Sequence, residues 1–326
     1  MKLHRFSLRP LAPWAGPLRS DTLYGLLLWR IAERQGDDAC RSVIAAFERG
    51  EPPFVLSSVL PEDRIFAPQL PPMPRERFRQ WAEDGRFATR NGTPLGLGEA
   101  LQAFKRFRKL ATLPLSVWRQ QAENLSAPRL FAAFCALDQA EGQTDGQAVT
   151  AGESVEPHVS IDRRSGGALE GGLYFNRLHW FAEGTCLHLY ARTDAPDALL
   201  AMLREVGELG FGKDAALGRG RFAVERDTAF RAETLENAGP DSLLLSVCAA
   251  GDMSSLDGWY ATETKRGKAW GAGRSPFKNP LLLVREGGLL RRLPEGSFVL
   301  RHIHPNADIV QIMQPLCLPC RLSEEV

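Results

Sequence analysis

A strand–helix–strand pattern near the N-terminus limits the fold more than any other feature of the sequence. Residues 2–11 alternate apolar and polar side chains, as a half-buried strand does. Ser20-Asp21-Thr22 then supplies side-chain oxygens at the start of an apolar run, which predicts a largely buried helix. A strand at 54–60 follows. Any fold of this chain must therefore pack a helix on a sheet.

The same pattern returns later, with a glycine-rich insertion. Strands are predicted at 173–182 and 185–193, followed by a helix that Gly210 ends and a strand at 221–226. Two such units are typical of an α+β sandwich of the split βαβ type.

The segment from Asn237 onwards has a different character, because strand signals dominate it. Strands are predicted at 242–250, 296–303 and 316–322, with a hairpin at 279–293 about Glu286-Gly287-Gly288. A chain of 326 residues is long enough for two domains. We therefore predict an N-terminal domain over 1–236 and a smaller C-terminal domain over 237–326, with the boundary near Gly239-Pro240.

The charge balance excludes a polycation that binds nucleic acid without selectivity. The chain has 40 Lys and Arg against 39 Asp and Glu, for a net charge of +1. This total combines unlike parts: residues 137–156 hold five acids and no Lys or Arg, whereas 75–109, 210–221 and 265–278 are basic. We expect the acidic stretch to be a mobile surface insertion. A basic surface on one face remains compatible with the total.

Localisation and metal content are predicted from what the chain lacks. It has no apolar run of about 18 residues and no apolar block after Met1, so we expect a cytoplasmic protein without a membrane span. Its six cysteines are too sparse for a disulfide framework. Cys317-Leu318-Pro319-Cys320, with His302 and His304 nearby, has the spacing of half a zinc site. Two buried strand cysteines are the favoured interpretation, and no metal or cofactor is expected.

The strongest local signal is a glycine-rich segment between the second helix of the repeated pattern and the next strand. Glycines let a backbone approach a ligand closely, and flanking cations suit phosphate oxygens. A P-loop has the opposite order, with glycines before a helix, so the segment favours contact with a polynucleotide backbone over nucleotide hydrolysis. A flexible turn is the alternative. The candidate RNA-binding residues here are Gly210, Phe211, Gly212, Lys213, Asp214, Ala215, Leu217, Gly218, Arg219, Gly220 and Arg221.

A second candidate segment follows the acidic stretch. Arg163 and Arg164 can bind phosphate, and His158 can stack on a base or donate to phosphate. The alternative is a capped turn in which Asp162 pairs with a neighbouring arginine. His158 is also a candidate general acid or base, although the sequence offers it no clear partner.

Basic and aromatic residues interleave between Arg75 and Lys109, with nine Lys and Arg against four acids. Phe78, Trp81 and Phe87 lie among them, as does a predicted helix at 98–109. This composition suits single-stranded RNA by stacking and charge neutralisation. A solvated basic face over core aromatics is the equal alternative. The sequence lacks a Gly-x-Ser-x-Gly elbow, a His-Glu-x-x-His helix and a strand-to-helix Gly-x-Gly-x-x-Gly, so we expect no enzyme.

Four of these segments together resemble the RAMP (repeat-associated) subunits of type III-A CRISPR Csm complexes. They are Ser20-Asp21-Thr22-Leu23-Tyr24-Gly25, His158-Val159-Ser160-Ile161-Asp162-Arg163, the glycine-rich loop from Gly210 to Phe222, and Glu295-Gly296-Ser297-Phe298. They occur in the family's order over nearly the whole chain. The resemblance is greatest to the Cas-five-like family called Csm subunit four, which holds the 5′ handle of the crRNA.

The resemblance implies two ferredoxin-like (RRM-like) domains, with the glycine-rich loop after the second helix of the first. It implies a non-catalytic role in antiviral defence, with crRNA, a large palm-domain subunit and backbone RAMP subunits as partners, and target RNA indirectly. Ser20, Asp21 and Thr22 would frame the RNA groove beside the loop and the His158–Arg164 segment. Two alternatives remain. One is a RAMP endoribonuclease that processes precursor crRNA, with His158 as general acid or base and Lys213 or Arg163 stabilising charge. The other is the equivalent end-capping subunit of a type III-B complex.

Overall fold

The chain folds as an α+β protein, as the sequence predicts. A computed structural model describes residues 1–137, 150–236, 239–249, 256–269, 276–293, 296–306 and 308–323. These residues contain seven α-helices, none of which combines the length and hydropathy needed to cross a bilayer. The helices are α1 (Ser20–Gln35), α2 (Asp37–Glu48), α3 (Arg75–Glu83), α4 (Leu97–Phe107), α5 (Leu115–Gln121), α6 (Ala127–Cys135) and α7 (Pro196–Leu209).

The strands form several antiparallel sheets. Those before residue 230 are β1 (Lys2–Pro10), β2 (Phe54–Leu56), β3 (Leu60–Pro61), β4 (Arg64–Phe66), β5 (Thr112–Pro114), β6 (Thr150–Ile161), β7 (Ala168–Phe181), β8 (Leu187–Thr193) and β9 (Phe222–Arg226). Those after it are β10 (Asp241–Leu244), β11 (Cys248–Ala249), β12 (Asp257–Trp259), β13 (Thr262–Lys265), β14 (Leu281–Val284), β15 (Leu289–Arg292), β16 (Val299–Leu300), β17 (Gln311–Ile312) and β18 (Cys317–Cys320).

The central sheet has the strand order β2-β8-β1-β9, and β3 also pairs with β8. Strand β1 lies between β8 and β9, with Phe6 opposite Leu189 on one side and Arg226 on the other. Helices α1 and α7 connect the strands and cover one face. Because side chains alternate along a strand, Phe6 and Leu8 reach the core under these helices, whereas Leu3 points to the opposite face.

The opposite face of this sheet is also buried. Leu3 and Tyr190 share a core with Trp118 of α5 and with Leu243 and Leu318 from the C-terminal strands. Ion pairs reinforce this packing: Arg19 binds Glu286 at 2.9 Å and also pairs with Glu263. The N-terminal and C-terminal parts therefore share one continuous core, and the boundary near Gly239 stays a prediction.

The helix starts form where they are predicted but for a different reason. Helix α1 begins at Ser20 without a side-chain cap. Instead, the Ser20 hydroxyl accepts a hydrogen bond from the Val247 amide at 3.1 Å. Helix α7 likewise begins without a side-chain cap, at Pro196, whose fixed φ suits a first helical position. The Ser20 hydroxyl thus makes a tertiary contact instead of capping the helix.

Two sequence predictions about strands are wrong. Residues 279–293 are not a hairpin, because β14 pairs with β11 and β13, whereas β15 pairs with β10 and β12. The end of the acidic stretch, 150–156, is the first half of β6 rather than a loop; residues 138–149 lie outside the described part of the chain. Strand β6 pairs with β7 in a long two-stranded hairpin, the β6–β7 hairpin.

Candidate RNA-binding site

The glycine-rich loop follows α7 and precedes β9. Gly210 ends α7 with φ of +80°, and Gly212, Gly218 and Gly220 also have positive φ. Asp214 has φ of +64°, an uncommon conformation for a residue with a side chain. A single 3-10 turn, Ala215–Leu217, forms the tip and leaves Leu217 72% exposed. The backbone therefore changes direction several times within a few residues.

Two of these glycines let the ends of the loop touch. A Cβ on Gly210 would lie 2.2 Å from the Arg219 carbonyl oxygen, and one on Gly220 would lie 2.3 Å from the Phe211 carbonyl oxygen. Phe211 is buried between these contacts, with its ring 4.8 Å from that of Trp14. The base of the loop is thus rigidly packed and only its tip projects.

The β6–β7 hairpin packs against the loop through Asn176. The Asn176 amide nitrogen donates to the Asp214 carboxylate at 2.5 Å, and its oxygen accepts from the Lys213 ammonium. The same ammonium lies 4.5 Å from the centre of the Tyr174 ring. Lys213 is therefore positioned by an amide and by the face of an aromatic ring.

Arg219 is held by the other strand of the hairpin. Its terminal nitrogen donates to both oxygens of Glu156, at 2.8 and 2.9 Å. His158 lies two residues along β6, on the same face, with its ring stacked 5.3 Å from that of Tyr174. The His158 Nε2 is 3.8 Å from the same carboxylate, is shielded from solvent, and makes no hydrogen bond within the described residues. The Glu156 carboxylate thus lies between the Arg219 guanidinium and the His158 ring.

The chain is similar to solved structures over nearly its full length. No family model and no curated protein sequence matches the chain. One solved structure with a similar chain is the Csm1-Csm4 cassette in complex with AMPPNP (16% identity, 99% of this chain and 100% of that chain, TM-score 0.58). Another is the Csm3-Csm4 subcomplex in the type III-A CRISPR-Cas interference complex (14% identity, 97% and 99%, TM-score 0.58). Csm4 is the subunit that the two assemblies share. This chain has a Csm4-like fold.

The resemblance to this family is thereby confirmed for the fold of the chain as a whole. The Csm4-like fold also brings His158 to the glycine-rich loop, although 52 residues separate His158 from Gly210 in the sequence. The roles of the site residues toward RNA stay predictions.

Arg163 and Arg164 are not part of this cluster. Both are exposed in the turn that ends the β6–β7 hairpin, roughly 15 Å along the strand from His158 at about 3.3 Å per residue. The Asp162 carboxylate accepts from the Arg164 amide at 2.9 Å and from the Ser165 hydroxyl at 3.1 Å. Asp162 thus caps the turn through the backbone, as in the alternative interpretation, although it does not pair with a guanidinium there.

Ser20 and Asp21 have partners inside the protein. Ser20 is fully buried, and Asp21, which is 7% exposed, binds the Lys265 ammonium at 2.5 Å. Only Thr22 of this motif is half-exposed. Ser20 and Asp21 therefore join α1 to the C-terminal strands, and both are buried away from solvent.

The basic segment 75–109 separates its charges from its rings. Phe78, Trp81 and Phe87 are buried in an aromatic core with Phe131 of α6, so they offer no face for stacking. The exposed cations on and beside α3 and α4 are Arg75, Arg79, Arg86, Arg90, Lys105, Arg106, Arg108 and Lys109. The solvated basic face over core aromatics is thus the observed arrangement.

Cys317 and Cys320 do not share a site. They lie on β18, and three positions along a strand place side chains on opposite faces: Cys317 packs with one core and Cys320 with another. Burial raises the pKa of the Cys320 thiol to about 12, so it is a neutral thiol at pH 7. Cys320 is buried and Cys317 half-buried on this strand, in line with the favoured interpretation of two strand cysteines.

Three residues of the loop–hairpin contact were missed in the sequence: Glu156, Tyr174 and Asn176. The usable signal was the alternation along β6 and β7, which places Glu156 and His158 on one face and pairs them with Asn176 and Tyr174. The acidic composition of 137–156 concealed it, because Glu156 was counted as part of an insertion.

Proposed function

We propose that this chain is the Csm4-like subunit of a type III-A CRISPR ribonucleoprotein and holds the 5′ handle of the crRNA without cleaving it. In this proposal its central sheet, with α1 and α7, is the first of two ferredoxin-like domains, and the strands after residue 239 belong to the second. The partners are the large palm-domain subunit and the backbone RAMP subunits. The full-length likeness to chains of the Csm1-Csm4 and Csm3-Csm4 assemblies supports this assembly role.

The observation that carries the RNA half of the proposal is the contact between the glycine-rich loop and the hairpin. Lys213 and Arg219 lie on one loop, and Tyr174 and His158 present rings on the facing strands. Two cations suit successive phosphates, and the rings offer surfaces on which bases can stack. The Glu156 carboxylate on Arg219 supports this reading, because a guanidinium binds phosphate oxygens by the same kind of charge-assisted hydrogen bond.

The covered face of the central sheet supports a proposal in which the loop and hairpin, not the sheet face, contact RNA. RRM-type sheets stack bases on the face opposite their helices. Here that face is packed against α5 and the C-terminal strands, where Leu3 and Tyr190 are buried. Only the edges, loops and hairpin of this layer remain accessible to a strand of RNA.

The second face of the hairpin supports the assembly half of the proposal. Val155, Val159, Leu173 and Phe175 line it side by side, and Leu173 and Phe175 are 60% and 61% exposed. Adjacent exposed apolar side chains are typical of surfaces that dock a partner. We assign this stripe to a protein subunit of the complex, because it is mainly apolar and the neighbouring Arg177 already pairs with Glu153 at 3.4 Å.

Recovery of RNA with the native complex tests the proposal. The tagged chain, purified from its own cells, should carry a small RNA of defined 5′ sequence together with the large and backbone subunits. Lys213→Glu and Arg219→Glu should each weaken RNA retention and lower the salt dependence of binding by roughly 0.7 per lost phosphate contact.

Matched controls come from the helical layer. Lys109→Glu and Arg79→Glu make the same charge changes at exposed positions outside the loop–hairpin contact, and they should leave the recovered RNA unchanged. Loss of RNA in all four variants to the same degree would mean that overall charge, not the loop, determines retention. Absence of small RNA and partners from the wild-type preparation would contradict the proposal altogether.

An endoribonuclease is the second candidate, and the position of His158 favours it. The ring lies 3.8 Å from Glu156 and beside Arg219, which is an acid–base group next to a cation. Purified chain incubated with a repeat RNA in the presence of chelator distinguishes the two functions. Cleavage that His158→Ala abolishes would establish the enzyme, whereas intact RNA supports the holding role.

A further inference from the structure

Three metal-binding side chains meet at the β3 edge of the central sheet. Strand β3 pairs with β8 so that Leu60 faces His188, and the Glu62 amide donates to the Cys186 carbonyl at 3.2 Å. Cys186 and His188 are two residues apart, so both side chains lie on the same face of the chain entering and following β8. The backbone register alone therefore brings Glu62 beside Cys186 and His188.

The donor atoms are close enough to share one ion. The Glu62 carboxylate, the Cys186 sulfur and a His188 ring nitrogen lie within 4.8 Å of one another. Zinc bonds of about 2.0–2.3 Å in a tetrahedron need donor separations of about 3.4 Å. The Glu62 side chain is 57% exposed, so it can move closer to the other two donors. His188 is fixed in place by its burial.

The charges around the three side chains suit a divalent cation, although the Arg5 guanidinium is among them. Arg5 is itself neutralised by Asp227 at 2.5 Å and lies 3.5 Å from Asp63. With Glu62, the local charge favours a cation over an anion.

The His188 ring has a nitrogen that can bind a metal ion. The Asp63 amide approaches His188 Nδ1 at 3.4 Å, which is a long contact, while Nε2 faces Glu62 at 4.0 Å. Binding a metal through Nε2 moves the ring proton to Nδ1 and gives up only that weak hydrogen bond. The Cys186 thiol releases its proton to solvent and binds as thiolate.

We propose that Glu62, Cys186 and His188 form a zinc site with its fourth position open to water. A thiolate, an imidazole and a carboxylate are ligands that zinc accepts together, whereas magnesium and calcium take oxygen ligands. The ion would fasten the turn after β3 to the start of β8, away from the loop–hairpin contact. The proposal is independent of the RNA-binding role.

Metal titration of the purified full-length chain tests the site. After treatment with chelator, the chain should take up one zinc ion in competition with a chromogenic chelator, and zinc should raise its melting temperature. Cobalt in place of zinc should give the near-ultraviolet charge-transfer band of a thiolate–cobalt bond. Magnesium should not compete with either ion.

Three variants locate the ligands. Cys186→Ser should abolish the cobalt band and weaken zinc binding by more than the roughly 10–100-fold that loss of an outer hydrogen-bond partner costs. Glu62→Gln, at an exposed position, should weaken zinc binding while leaving the metal-free melting temperature unchanged, so it remains informative if Cys186→Ser unfolds. Cys40→Ser, at a half-buried free cysteine of α2, is the matched control and should bind as the wild type does.

The proposal fails under clear conditions. A wild-type chain that takes up no zinc, or whose cobalt complex lacks the thiolate band, would overturn it. Zinc binding in Cys186→Ser and Glu62→Gln that equals the wild type would overturn it as well, since the metal would then sit elsewhere. None of these outcomes depends on whether the chain retains RNA.

Discussion

The helical layer formed by α3, α4 and α6 and the loop–hairpin contact are both rich in cations and aromatic rings, yet they use them in opposite ways. In the helical layer Phe87 and Phe131 are fully buried, with their rings 4.7 Å apart, and the cations point to solvent. At the loop–hairpin contact the Tyr174 ring is 40% exposed and the Lys213 ammonium lies over it.

The difference shows that composition alone does not identify a nucleic-acid surface. A stacking platform needs rings that keep one face free, and a phosphate site needs cations whose geometry is fixed. The helical layer has exposed cations over a core of buried rings. The loop–hairpin contact has fixed cations, because Asn176 and Glu156 hold Lys213 and Arg219 in place, and its Tyr174 ring is partly exposed.

The largest expected effect concerns the stability of the helical layer. Phe131→Ala removes a ring that contacts Phe87, Phe104 and Phe107, and such truncations of buried aromatics cost about 3–5 kcal/mol. Denaturant unfolding of the variant should show this loss. RNA retention, measured well below the new unfolding midpoint, should equal the wild type. Retention that falls while the chain is folded would show that these rings take part in binding after all.

A smaller effect separates the base of the glycine-rich loop from its tip. Gly220→Ala places a Cβ 2.3 Å from the Phe211 carbonyl oxygen at a φ of +71°, so backbone strain of about 1–2 kcal/mol adds to a steric clash. Gly212→Ala has a similar φ but open space around the Cβ, so it should cost only the strain. The free energy of unfolding should fall from the wild type to Gly212→Ala and further to Gly220→Ala. RNA retention should be lost chiefly in Gly220→Ala. Equal losses in both variants would contradict the packed base.

The sequence predicted the central sheet well because its signals are local. Alternation predicted β1, the apolar run after Ser20 predicted the start of α1, and Gly210 predicted the end of α7. The sequence did not predict strand pairing, which depends on residues far apart in the chain. The strands at 281–284 and 289–292 were found, but nothing in their residues shows that they join different sheets.

The candidate site follows the same rule. The glycine-rich loop is local, and its position between a helix and a strand could be predicted. Its contacts with Glu156, Tyr174 and Asn176 depend on how a hairpin packs, and the Glu62–Cys186–His188 cluster joins residues more than 120 positions apart. Cys317 and Cys320 were the pair of candidate metal ligands that the sequence suggested. Strand β18 places their side chains on opposite faces.

The smallest expected effect tests whether the hairpin carboxylate competes with RNA. Glu156→Gln removes the charge that pairs with Arg219 while keeping the shape of the side chain. Both groups are partly exposed, so the pair contributes at most about 1 kcal/mol, and RNA binding should strengthen by up to about fivefold. Stability should change little. Glu153→Gln, which removes a charge from the same strand on the opposite face, is the matched control and should have no such effect. If Glu156→Gln instead weakens binding, the carboxylate positions Arg219 for RNA rather than occupying its place, and the preorganisation that distinguishes this contact from the helical layer would depend on Glu156 itself.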